Sequence, residues 1–168
     1  MKIFFTIIIF SISIFAQPSQ KEIMTQVQKV VQNYADAISC ESQPIDQKLI
    51  VPFVPYKRES ERLDAMYGAI WLGDIGCTGG RGGLKGHIAV LTIGAGDAVL
   101  VDPSQSSPIV EFPLPTTDIS KVVSHAKDSI VLEGKTFAPN DPACCPSKKV
   151  IFTLKRNRDG SWALVGQK

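Results

Sequence analysis

At 168 residues the chain has room for one domain and not for a multidomain enzyme. Hydrophobic residues make up 44% and charged residues 20%, which suits a packed globular core and excludes wholesale disorder or a collagen-like fibre. Eighteen basic residues against sixteen acidic ones give a formal +2, a balance that implies no strong steering towards nucleic acid or an anionic membrane.

The first segment reads as an address. Lys2 precedes an apolar run over residues 3–16, broken only by Thr6, Ser11 and Ser13, and the chain turns polar at Gln17. A basic start, a short apolar middle and a small residue at Ala16 predict a signal peptide over residues 1–16. The run is shorter than the roughly 20 residues that span a bilayer as a helix, which argues against an uncleaved anchor. The expected mature chain is therefore residues 17–168, a single α+β domain, periplasmic or secreted, with no stable membrane insertion after cleavage. Seventeen basic residues then face sixteen acidic ones.

Residues 19–40 predict an amphipathic helix. Ile23, Val27, Val30, Val31, Tyr34, Ala35 and Ile38 repeat at helical spacing, and Ser19 with Glu22 supplies a capping box. Residues 41–64 read as an irregular connection, broken by Pro44, Pro52 and Pro55, with short edge strands at 49–51 and 53–54 and a charged, solvated turn at 57–62. From residue 66 the pattern turns to strands: 66–72, then a hairpin of 88–93 and 98–101 around Gly94 to Asp97, then 119–126 and 129–133. Val150, Phe152 and Leu154 alternate, Asn157 to Gly160 turns, and Trp162 and Leu164 alternate again, predicting a C-terminal hairpin. The expected fold is an N-terminal helix on one antiparallel sheet of five to seven strands.

Export gives the four cysteines, Cys40, Cys77, Cys144 and Cys145, a disulfide reading. A bond between the adjacent Cys144 and Cys145 closes a strained ring. Of the three possible pairings, the one with this vicinal bond therefore ranks third, and each of the two cysteines is expected to reach one of Cys40 and Cys77, in either of two ways. Closing loops of that length contributes roughly 3–5 kcal/mol each. No C-x-x-C is present and His87 and His125 have no ligand spacing to the cysteines, so no metal or other cofactor is expected.

The segment 73–86 holds more than half of the chain's 13 glycines. Phosphate binding fails on spacing: Lys85 follows Leu84 and precedes Gly86, and the residues after the glycines read as a strand rather than a helix. The segment is expected to be a hairpin connection tethered through Cys77, with Arg81 and Lys85 able to meet an anionic ligand. No G-x-S-x-G is present, and a single His in an apolar strand is more often structural. Asp74, Asp102, Asp128 and Asp141 fall at strand ends or turns, where Asp accepts backbone hydrogen bonds. No catalytic residue is assigned.

The string Asp141-Pro142-Ala143-Cys144-Cys145-Pro146-Ser147 is the most distinctive in the chain. Together with residues 71–77, Asp102-Pro103 and Ser106-Ser107-Pro108, it resembles a group of exported bacterial proteins of unknown function across residues 66–165. The Cys-Cys-Pro-Ser loop before a Trp-containing hairpin also resembles the LppP/LprE lipoproteins over the last quarter, although this chain lacks their lipid-attachment Cys. Both resemblances imply a disulfide-bonded exported domain and carry no catalytic residue.

The expected function is a binding or inhibitory module acting through protein–protein contact, with a periplasmic or cell-wall-associated protein, such as a cell-wall enzyme or a toxin, as partner. Trp71, Asp74, Arg81, Lys85 and His87 are its candidate contacts, with Trp71, Arg81 and Lys85 expected at the surface. The alternatives are a small hydrolase or metal-dependent enzyme pairing His87 or His125 with Asp74 or Asp141, and a structural envelope component.

Overall fold

The computed structural model describes residues 17–142 and 145–168, with the backbone alone at positions 81 and 82. The expected leader and Cys144 lie outside the described residues.

Helix α1 spans Gln20–Ile38. Its start is fixed as the capping box requires: the Ser19 hydroxyl accepts the Glu22 N–H at 3.3 Å and the Glu22 carboxylate accepts the Ser19 N–H at 2.7 Å. Ile23, Val27, Val31 and Ala35, one per turn, are completely buried, while Val30, Tyr34 and Ile38 flank them part-buried. Burying each of the branched side chains contributes about 1.5–3 kcal/mol.

Eight strands follow: β1 (Ile50–Val54), β2 (Met66–Gly73), β3 (Lys85–Ile93), β4 (Val99–Val101), β5 (Ile119–Ala126), β6 (Ser129–Thr136), β7 (Lys148–Arg156) and β8 (Trp162–Gln167). They form two antiparallel sheets of four, β1-β2-β3-β4 and β5-β6-β7-β8, not one sheet of five to seven strands. The physical reason is the double burial of the first sheet. On one face Tyr67, Ala69, Trp71, Ala89 and Leu91 pack against α1. On the other, Val51, Phe53, Ile70, Ile88 and Val90 pack against Ile130, Leu132, Phe152, Leu154 and Trp162 of the second sheet. Strands buried on both faces become continuous apolar runs, as in β2 and β3, whereas the second sheet covers the core with one face only and alternates. The order of layers is helix, sheet, sheet.

Residues 57–62, expected as a turn, lie largely in a 3-10 helix, Glu59–Asp64, with ion pairs Arg58–Glu61 and Arg62–Glu59 at 3.3 Å each. Among the described residues no helix is long and apolar enough to cross a membrane.

The expected disulfide pairing is overturned. Cys40 bonds Cys77, with Cα atoms 5.3 Å apart, so neither reaches Cys144 or Cys145. The chain leaving α1 runs back along the end of β2: Cys40 donates to the Asp74 carbonyl at 3.0 Å, Asp74 to that of Glu41 at 2.8 Å, and Gln43 to that of Leu72 at 2.9 Å. That ladder delivers Cys40 to the glycine-rich loop. Cys145 is itself disulfide-bonded.

Candidate functional site

A cleft of about 570 Å³ opens where β2 passes into β3. Its three walls are the connection after Asp74, the first residues of β3, and a proline-rich strap over residues 107–117.

Asp74 organises the first wall. It is 2% exposed, and its carboxylate accepts the Gly79 N–H at 2.7 Å, with the Thr78 hydroxyl farther off at 3.5 Å. The Gly79 N–H, followed by other loop donors that outweigh desolvation, holds the Asp74 carboxyl below the ordinary carboxylate range. The loop then passes so close that a Cβ at Gly83 would lie 2.4 Å from Asp74 Oδ2. A side chain there has no room. The connection is fixed by three devices: the Asp74 carboxylate, the Cys40–Cys77 bond and the ladder to residues 40–43.

The second wall carries Lys85, Gly86 and His87. His87 stacks on Trp71, its register partner across β2 and β3, with ring centroids 4.5 Å apart, and its Nε2 meets the Gly73 carbonyl at 3.1 Å. Burial lowers the imidazole's pKa, with partial opposition from the Gly73 carbonyl. The ring is therefore neutral near pH 7, with Nε2–H donating and Nδ1 left as an acceptor. Lys85 is exposed.

The third wall begins where β4 stops pairing. Ser106 and Ser107, 0% and 2% exposed, take over the edge of β3. The Ser106 hydroxyl accepts the Val90 N–H at 2.9 Å, the Ser107 hydroxyl accepts the Ile88 N–H at 3.3 Å, and the Ser107 N–H donates to the Ile88 carbonyl at 2.9 Å. Tyr34 of α1 pins this corner, its hydroxyl donating to the Ser107 carbonyl at 2.7 Å. After the cis Ser107–Pro108 peptide the strap leaves the ladder. Alternate residues of a strand point their N–H and C=O the same way, so those of Gly86 face the cleft beyond Ser107. Among the described residues no backbone group pairs with them on that side. Leu114 lies over Gly86 so closely that a Cβ there would sit 2.2 Å from its Cδ1.

The cleft therefore gathers Asp74, Lys85 and His87. Trp71, expected at the surface, is 1% exposed and belongs to the core under α1, because its place in β2 turns it to the helix side with Tyr67 and Ala69. The Arg81 side chain lies outside the described residues. His125 stands exposed on the edge strand β5, and Asp141 accepts the Ala138 and Ser147 N–H groups at 2.7 Å each; neither lines the cleft. Asp102 likewise caps a turn, accepting the Ser104 N–H at 3.0 Å.

Sequence reasoning missed the strap. Val110, Phe112 and Leu114 alternate as a strand would, but Pro108, Pro113 and Pro115 lack the N–H a ladder needs. That combination, an apolar alternation barred from pairing, was the available signal. No protein-family model, no curated protein and no solved structure matches the chain.

Proposed function

We propose that the chain is an exported binding module, periplasmic or secreted, whose cleft takes an extended segment of a partner protein, a cell-wall enzyme or a toxin being the expected kind of target. The observation that carries this reading is the free stretch of β3 edge at Gly86, set inside an apolar-sided cleft. An extended peptide adds to such an edge through main-chain hydrogen bonds, and side-chain pockets select its sequence. Leu114 and Ile75 offer apolar contact, while Lys85 and Glu111 place opposite charges at the rim. The Asp74 carboxylate and the His87 Nε2 are already engaged by the chain's own backbone, which favours a fixed frame over proton transfer.

Selection of random peptides on immobilised residues 17–168 tests the reading. An enriched family is expected whose affinity changes at least 5-fold in Lys85→Glu and in Glu111→Lys. No enrichment, or binding indifferent to both reversals, would overturn it.

A second reading, a small hydrolase, draws on one observation: Asp74 and His87 line the same cleft. Turnover of an ester or peptide substrate that disappears in His87→Gln would favour it over the first.

A further inference from the structure

Charge is divided along the chain in a way its total conceals. Residues 17–118 hold eight basic and twelve acidic side chains, net −4, while residues 119–168 hold nine basic and four acidic, net +5. The second set is the whole of the β5–β8 sheet with its connections. Val150, Phe152 and Leu154 point inward, so alternation sends Lys149 and Lys155 outward. The same reasoning on β6, where Ile130 and Leu132 face the core, turns Glu133 and Lys135 outward, and Lys121 stands opposite Glu133.

Lys135 and Lys149 are direct register partners across β6 and β7. Like charges directly opposite each other destabilise a sheet. Among the described residues neither has an acidic partner; Glu133, the outward acid of this face, is engaged by Lys121 at 3.6 Å. A repulsive pair on an open face is relieved by an anion from outside.

We infer that the outward face of the β5–β8 sheet is a docking surface for an anionic phospholipid bilayer. The face is an open sheet surface, and the cleft, lined by residues 74–117 only, lies apart from it. A small anion would need a concave, convergent site. Lysines are compact point charges on flexible stems, suited to a diffuse field of head groups, where bidentate recognition of a single phosphate favours arginine. Val131 and Ile151 lie between the lysines and supply apolar contact at head-group depth. Single-stranded nucleic acid would want a row of aromatic rings to stack on, and of the three in residues 119–168 Phe152 and Trp162 are spent in the core, leaving Phe137 beyond β6 as a single exposed ring. The contact is peripheral, made by side chains at the surface, and needs no spanning segment.

The test is co-sedimentation of residues 17–168, which contain both hydrophobic clusters of the described residues, with vesicles of phosphatidylcholine alone and with 30% phosphatidylglycerol. Binding is expected only to the anionic vesicles at 0.1 M salt and lost by 0.5 M, where screening shortens from about 10 Å. The variant K149E/K155E should bind at least 10-fold more weakly, and K21E/K29E, an equal charge change on the exposed side of α1, within 3-fold of the unmodified chain. Equal loss in both variants would overturn the assigned face, and equal sedimentation with both vesicle types would overturn the charge basis. Tighter binding to a 30-nucleotide single strand than to the anionic vesicles would overturn the choice of lipid.

Discussion

His87 shows how one side chain can be both frame and sensor. Its ring packs at a tilt against Trp71 and is held to the Gly73 carbonyl, and burial favours the neutral form, so its folded pKa lies below the 6.5 of a free imidazole. The unfolded chain therefore takes up the proton at higher pH than the folded one, and stability rises with pH across that window. The contribution is complete above about pH 6.5 and is lost as pH falls through the lowered folded value. Urea unfolding between pH 7.5 and 5 should show the unmodified chain losing stability that His87→Gln retains. A pH dependence identical in both would place the ring in solvent. The sequence put His87 in a strand beside the glycine-rich loop, but its stacking partner came from the register of β2 on β3, a non-local pairing that spacing along the chain does not reveal.

At the scale of elements, the cleft depends on the connection after Asp74, which has little core of its own. The Cys40–Cys77 bond ties it to the end of α1 across a sequence separation of 37. Removing that link frees the unfolded chain and should cost about 4 kcal/mol on the chain-entropy account. For a domain of this size that is a fall in Tm of roughly 10 °C. Calorimetry of Cys40→Ser/Cys77→Ser measures it; an unchanged Tm would mean that the ladder of residues 40–43 on β2 holds the corner alone. The sequence made these cysteines partners in disulfides and ranked the pairing that joins them to each other last. The reason is physical: the decisive contacts, Cys40 N–H to the Asp74 carbonyl and Asp74 N–H to the Glu41 carbonyl, are backbone pairings to which side-chain identity is nearly blind.

Across the whole molecule, what was readable was what local chemistry dictates. Ser19 with Glu22 announced the helix start, the period of Ile23, Val27 and Val31 announced its buried face, and Val150, Phe152 and Leu154 announced a strand with one wet side. The division into two sheets was also written in the contrast between the unbroken apolar run of β2 and the alternation of β7, since only a middle layer is dry on both faces. The total charge hides one feature. It averages an acidic helix-and-sheet portion with a basic second sheet, and only the fold shows the lysines sharing one face.

The proposed recognition of a partner at the open edge of β3 has a direct readout in the backbone. Backbone amide exchange, followed with and without a peptide selected on residues 17–168, tests it most directly. Slowed exchange is expected at Gly86 and along residues 109–117, with α1 and the β5–β8 sheet unchanged. Protection confined to α1 or to β5–β8, with the β3 edge exchanging as in the free protein, would contradict it.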